Sequence, residues 1–126
     1  MRPKSLAEVA ALALQGQNFD LCFANFLDEF YAKPNVEALL AEPPLLAPHD
    51  EKLGAVQDAY LAATAEELAR IYNLPWPAWT DREERKLRRP WFASPLASLR
   101  AVLILESPPS FRARNLFVSE NALTRV

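Results

Sequence analysis

The stretch FDLCFANFLDEFYA, residues 19–32, decides the fold. Phe19, Cys22, Phe23, Phe26, Leu27 and Phe30 recur at steps of three and four, the spacing of one helical face. Four phenylalanines on one stripe bury a large apolar area, so this helix is expected at the centre of the molecule. Asn18 stands where an N-cap belongs, and Pro34 bounds the far end. Asp20, Asp28 and Glu29 lie off the stripe.

Upstream, residues 5–15 read as a first helix. Ser5 followed by Glu8 matches a capping box, Leu6, Val9, Ala10, Ala13 and Leu14 fall near one stripe, and Gly16 can end it in a left-handed turn. Downstream, Pro34 opens a short helix to Ala41 with Val36, Leu39 and Leu40 inward. Pro43, Pro44 and Pro48 then make an extended connector. Asp50 caps the longest segment, 51–72. Its amphipathic face is Leu53, Val56, Gln57, Tyr60, Leu61, Thr64, Leu68, Ile71 and Tyr72. Thr64 with Glu67 matches a second capping box and suggests a break near 64, whereas the alanines at 59, 62, 63, 65 and 69 favour an unbroken helix. That face suits intrachain packing and a homodimer seam equally.

Residues 74–79 are too rich in proline for a helix. Thr80 and Glu83 start a short one that runs to Pro90. Ser94 and Pro95 begin a last long helix, 95–106, with Leu96, Leu99, Val102 and Leu103 inward, although Ala101 to Leu105 also suits a strand. Ser107 and Pro108 offer a further helix start, with a short helix from Phe111 towards Val118 and then an extended tail. The expected fold is all-α: one domain over residues 1–126, with five or six helices and proline-rich connectors.

Composition narrows the function. At 126 residues, scaling buries about two thirds of the unfolded chain's surface, enough for a core without staples. One cysteine and one histidine, Cys22 and His49, provide neither a disulfide framework nor a Cys/His zinc site. Two glycines against 11 prolines disfavour hairpins and Gly-rich phosphate loops. No apolar run reaches the ~18 residues of a membrane span, and no signal peptide is evident, so a cytoplasmic protein is expected. No Gly-x-Ser-x-Gly, His-Glu-x-x-His or phosphate-loop motif occurs. Cys22 reads as an inert buried thiol and His49 as an exposed loop residue. Asp28-Glu29 and Glu66-Glu67 are adjacent pairs that point apart on a helix. No catalytic, cofactor-binding or metal-binding residue is assigned.

Charge is unevenly spread. Residues 1–75 hold 5 Lys/Arg against 11 Asp/Glu, and residues 76–126 hold 9 against 5. Two basic, aromatic stretches follow from this. The first, 82–92, contains Arg82, Arg85, Lys86, Arg88, Arg89, Trp91 and Phe92, with Asp81, Glu83 and Glu84 beside them. The second, 111–119, places Arg112 and Arg114 between Phe111 and Phe117. Its arginines suit a partner's carboxylates, an anion, or acidic helices of the same chain such as that carrying Asp28 and Glu29. The tryptophans at 76, 79 and 91 suit gap-filling between helices, with the indole N–H on a carbonyl.

The C-terminal third carries a resemblance. Arg89-Pro90-Trp91-Phe92, Ser94-Pro95, Leu99-Arg100-Ala101, Glu106-Ser107-Pro108 and Phe111-Arg112-x-Arg114-Asn115-Leu116-Phe117-Val118-Ser119 resemble a family of small bacterial proteins without an assigned activity. The likeness covers roughly residues 50–126, with a weaker echo at 26–31. The resemblance implies pairing with nucleotidyltransferase-like proteins, as in toxin–antitoxin pairs.

The favoured expectation is a non-catalytic, antitoxin-like protein-interaction module. Its contact residues would be Arg85, Arg88, Arg89, Trp91, Arg112, Arg114 and Phe117, of the types that dominate interface hot spots. The alternative is a nucleic-acid-binding regulator using 82–92. A third reading is a small enzyme with an arginine-lined anion pocket.

Overall fold

The helices begin and end where local chemistry stops the chain. In a computed structural model, which describes residues 2–125, α1 spans Leu6–Leu14. Ser5 Oγ accepts from the Glu8 N–H at 3.1 Å, as the capping pattern requires. The reciprocal bond differs: the Glu8 carboxylate takes the Lys4 N–H at 3.3 Å. Gly16, at φ +96°, closes the helix in a Schellman turn, with the Gln17 N–H on the Leu12 carbonyl at 3.0 Å.

α2 spans Phe19–Ala32, capped by Asn18 Oδ1 on the Leu21 N–H at 2.8 Å. Cys22, Phe23, Phe26, Leu27 and Phe30 are buried, as their spacing predicts. Burying each phenylalanine stabilises the fold by roughly 1.5–3 kcal/mol. α3 is only Glu37–Leu40. Asn35 Oδ1 caps the Ala38 N–H, which moves the start past Pro34, and Leu40 faces outward rather than in.

α4, Gly54–Ile71, is the central helix. It runs unbroken through residue 64, because the Thr64 hydroxyl donates back to the Tyr60 carbonyl at 2.8 Å instead of capping a new helix. The alanines at 59, 62, 63, 65 and 69 are all buried. They do more than favour helix: their small side chains let the short helix Pro109–Arg112 and the 3₁₀ turns at Ala47–His49, Ala78–Asp81 and Glu83–Arg85 press against α4. Of the face read as a possible dimer seam, Leu61, Thr64 and Leu68 are buried within the chain, whereas Leu53, Ile71 and Tyr72 stay exposed. α2 meets α4 through aromatic edges, Phe23 on Tyr60 at 5.3 Å and Phe30 on Tyr72 at 5.4 Å. Asn73, at φ 54°, ends α4 with the Leu74 N–H on the Ala69 carbonyl.

Gly54 sits where α4 touches the connector. A Cβ there would lie 2.5 Å from the Leu46 carbonyl oxygen and 2.6 Å from the Ala47 Cα. Backbone on the far side cannot give way as a side chain can. Gly54→Ala is expected to destabilise by about 1–3 kcal/mol, read as a lower midpoint in urea. An unchanged midpoint would show that the connector yields freely.

The expected helix from 80 to 90 is two 3₁₀ turns, Ala78–Asp81 and Glu83–Arg85, separated by extended Arg82. The first of them begins inside the stretch expected to be non-helical. The reason is tertiary: Trp79 Nε1 donates to the Leu39 carbonyl at 3.0 Å, and Arg85 is turned wholly inward. Two further differences lie downstream. Trp91–Phe92 (β1) pairs in parallel with Leu116–Phe117 (β2), a two-residue sheet in an otherwise helical protein. The helix expected over 95–106 divides into a 3₁₀ turn, Ala97–Leu99, and α5, Arg100–Glu106. α6, Pro109–Arg112, follows with its proline in the first turn. Helices make up 56% of the described residues and strands 3%, so the all-α expectation stands.

The tail packs back on α2. The Tyr31 hydroxyl donates to the Leu123 carbonyl at 2.6 Å, and Arg125 donates two bonds to Asp28 at 2.9 and 3.2 Å. The tail's arginine lock is thus Arg125, not Arg112 or Arg114. The Arg125 hydrogen bond holds the Asp28 carboxyl below its ordinary value of 3.8. A depressed carboxyl contributes its stabilisation above its unfolded pKa and loses it as pH falls through the folded one. Amide exchange at residues 121–124 should therefore quicken as pH drops below 3.8, after correction for intrinsic rates. Asp28→Asn should quicken it already at neutral pH, and identical exchange in the variant would show that Tyr31 alone holds the tail.

Candidate partner-binding surface

The seven residues singled out from sequence go to different places. Arg85 and Arg114 are the largest fully enclosed side chains among the described residues. The 3₁₀ turn Glu83–Arg85 aims Arg85 at α4, between Asp58, the connector and the Trp79 ring, whose centroid is 5.0 Å from the guanidinium. Its Nη1 donates to the Asp58 carbonyl at 3.4 Å and lies 3.8 Å from the Asp58 carboxylate. Its Nη2 donates to Glu42 at 3.4 Å and to the Pro43 carbonyl. Asp58 in turn accepts the Leu46 and Ala47 N–H groups at 2.7 and 3.0 Å, so one carboxylate fastens the connector to α4. Burial pushes the Asp58 carboxyl up from its ordinary value while these N–H groups and Arg85 pull it back.

Arg114 forms a second internal knot. Nη1 donates to Glu66 at 3.1 Å and to the Ser110 carbonyl at 2.8 Å, and Nη2 donates to the Thr80 carbonyl at 2.8 Å. Next to it, the Ser110 hydroxyl donates to buried Glu67 at 3.0 Å, and Arg70 closes the other side of that carboxylate. Both arginines are therefore corrections to the expected contact set: their guanidinium groups are occupied by this chain's own carboxylates and carbonyls. For the same reason they do not line an anion pocket. The basic stretch is further reduced because Arg82 pairs with Glu42 at 3.0 Å and Lys86 with Glu83 at 3.8 Å.

Arg88, Arg89 and Arg112 are exposed, and none is in a salt bridge among the described residues. Trp91 and Phe117 are half-buried in the small sheet. There the Trp91 N–H donates to the Asn115 carbonyl at 2.8 Å, and the Ala93 N–H to Phe117 at 2.9 Å. Asn115, at φ 62°, reaches across to the Leu87 carbonyl at 2.7 Å. Phe92 stacks on Phe117 at 5.1 Å, and Arg100 lies over the Phe92 ring at 5.2 Å. Nothing local signals this pairing, because two residues are too few to show an alternating pattern.

The feature that sequence reasoning missed lies between these strands. Of the residues expected inward in 95–106, only Leu103 is buried. Leu96 is 58% exposed, and Leu99, Val102 and Ile104 are between 40 and 44%. Leu105 is 81% exposed. A helix that is apolar all round is normally covered on every side. The run Ala101-Val102-Leu103-Ile104-Leu105 carried that signal, since no single face can hold all five side chains.

Family models, curated proteins and solved structures give no match to the chain. No helix among the described residues is long and apolar enough to cross a membrane. No group of three or more His, Cys, Asp or Glu side chains among them is placed to hold a metal.

Proposed function

We propose that the protein is a non-catalytic, antitoxin-like module that binds another protein through α5 and the 3₁₀ turn before it. The observation that supports this is the exposed set Leu96, Leu99, Val102, Ile104 and Leu105 on one short segment. Isolated exposed leucines are ordinary, but a contiguous apolar patch marks a surface that is covered in use. The expected occupant is an apolar protein face rimmed by carboxylates. Residues 88–112 hold Arg88, Arg89, Arg100 and Arg112 against Glu106 alone, and such guanidinium groups pair with acidic side chains in two-point geometry. The family resemblance makes a nucleotidyltransferase-like enzyme the first partner to test.

Leu105→Asp removes apolar area and places a like charge against an acidic rim. It should weaken binding at least about tenfold, equivalent to 1.4 kcal/mol. It should leave the melting temperature nearly unchanged, because Leu105 contributes little to the core. The measurement is copurification of the nuclease-treated complex, followed by titration of the identified protein with wild type and variant. A captured protein indifferent to Leu105→Asp would overturn the assignment of this surface. A wild-type dimer abolished by the substitution would show that a second copy is the occupant instead. Material released by nuclease would move the assignment to nucleic acid.

A further inference from the structure

A cavity of about 300 Å³ lies on the other side of β1 from the Phe92–Phe117 stack. Successive strand residues face opposite ways, so Phe92 serves the α5 side while Trp91 lines this cavity. Three elements bring most of the walls: α2 brings Phe19 and Phe23, α4 brings Tyr60 and Gln57, and β1 brings Trp91. The rings are set by the fold's own packing. Phe19 stacks on Phe23 at 6.0 Å, and Tyr60 is clamped edge-on between Phe23 and Phe111 at 5.3 and 5.0 Å. Asp20 from the first turn of α2, Leu53 and Val56 at the start of α4, and Ala122 from the tail complete the lining.

The polar groups of this cavity are unmatched. Among the described residues the Asp20 carboxylate has no salt-bridge partner, and the Tyr60 hydroxyl and Trp91 indole N–H make no hydrogen bond. No lysine, arginine or histidine is among the lining residues. Burial and the nearby Asp20 charge push the Tyr60 phenol up to about 12, so near neutrality it stays a neutral ring with its hydroxyl proton in place. The volume lies at the lower end of the ~300–1,000 Å³ range of small-ligand sites.

We propose that this cavity binds a quaternary or fully methylated ammonium group, held by the rings of Phe19, Phe23, Tyr60 and Trp91 and by the Asp20 carboxylate. Aromatic faces carry negative potential, and a diffuse cation with an apolar shell gains from several at once. An anion would face the Asp20 charge and the ring faces with no base to offset them. A neutral hydrocarbon would fill the space without drawing on the exposed Asp20 carboxylate at its edge, whereas a cation gains from it. An unmethylated ammonium is compact and strongly hydrated, so it loses more on entering an apolar box. The methylated head can come from a free small molecule or from a trimethyl-lysine side chain. The chemistry is shared.

The test uses the full chain and follows the Trp91 indole N–H resonance by NMR. It is titrated with tetramethylammonium, choline, a trimethyl-lysine peptide, and the neutral carbon isostere of choline in which carbon replaces nitrogen. The expected result is saturable binding of the cations, with the isostere at least about tenfold weaker. Asp20→Asn, followed by the same resonance, and Trp91→Leu, which lacks that reporter and is followed by isothermal titration calorimetry beside wild type, should each cost about tenfold, with thermal melts confirming that both variants remain folded. A peptide tighter than choline would place the group on a protein, and the reverse order would place it on a small molecule. Either order supports the site. Equal affinity for the isostere, tighter binding of guanidinium than of tetramethylammonium, or no saturation by about 10 mM would overturn the proposal.

Discussion

Arg85→Ala should lower the free energy of unfolding by about 3–5 kcal/mol, a large share of the 5–15 kcal/mol expected for a domain of this kind. Its guanidinium is enclosed between Asp58, Glu42, the Pro43 carbonyl and the Trp79 ring. Removing it leaves the buried Asp58 carboxylate without its cation. Glu42, at the rim, can turn to water, whereas Asp58 cannot, because it is holding the Leu46 and Ala47 N–H groups. Arg85→Met combined with Asp58→Asn should recover part of the loss, since removing both charges is milder than stranding one.

The pH dependence has a definite sign. Burial already raises the Asp58 carboxyl above its ordinary 3.8, and a raised carboxyl costs nothing below its unfolded pKa and its full penalty above the folded one. Without Arg85 the carboxyl rises further. The gap between wild type and Arg85→Ala should therefore widen as pH increases from about 4 to 7, as read from urea midpoints. A small, pH-independent gap would show that water reaches Asp58.

The same residue marks the limit of what the sequence made legible. The helix at 19–32 was readable because local spacing and burial agree there, and the one at 51–72 was readable as a helix, though it starts at Gly54 and is buried well beyond its expected face while Leu53, Ile71 and Tyr72 stay exposed. The fates of Arg85 and Arg88 were not. Three positions apart on a short basic stretch, they look alike in sequence, yet one is enclosed and the other exposed. The difference is set by Asp58 and Glu42, which lie 27 and 43 residues upstream. No local pattern records that Asp58 would be buried beside a connector. The 3₁₀ turns over 78–85 have the same origin, because a regular helix there would not aim both Trp79 and Arg85 at the core.

The exposed apolar helix failed in the opposite direction. The habit of assigning leucines to a core placed Leu96, Leu99 and Val102 inside. The rest of the chain already fills its core with α2, α4 and the alanine-lined contacts around α4. Each guanidinium knot also leaves an Nε–H without an acceptor, in Arg85 and in Arg114. An unmade buried bond costs about 1–3 kcal/mol, so both knots must be held by their remaining contacts. Buried arginines are thus structural in this fold, and the proposed interaction rests on the exposed apolar segment and the exposed arginines in the chain around it.

Arg112 and Arg114 put that division to a direct test, because they are two residues apart and were indistinguishable from sequence. Arg114→Ala breaks the bonds to Glu66, Ser110 and Thr80, which join α4, α6 and the 3₁₀ turn at Ala78–Asp81, and should cost about 3–5 kcal/mol. Arg112→Ala, at an exposed position, should stay within about 0.5 kcal/mol of wild type. Arg114→Lys should restore only part of the loss, since an ammonium cannot reproduce the fork that meets Glu66, Ser110 and Thr80 together. Any loss of partner binding in Arg114→Ala should then track its lower melting temperature. A loss in Arg112→Ala should come without one, because only there does the guanidinium face outward. Equal and small stability effects at both positions would mean that the Arg114 bonds are not holding α6 to α4, and would return Arg114 to the set of partner-facing residues.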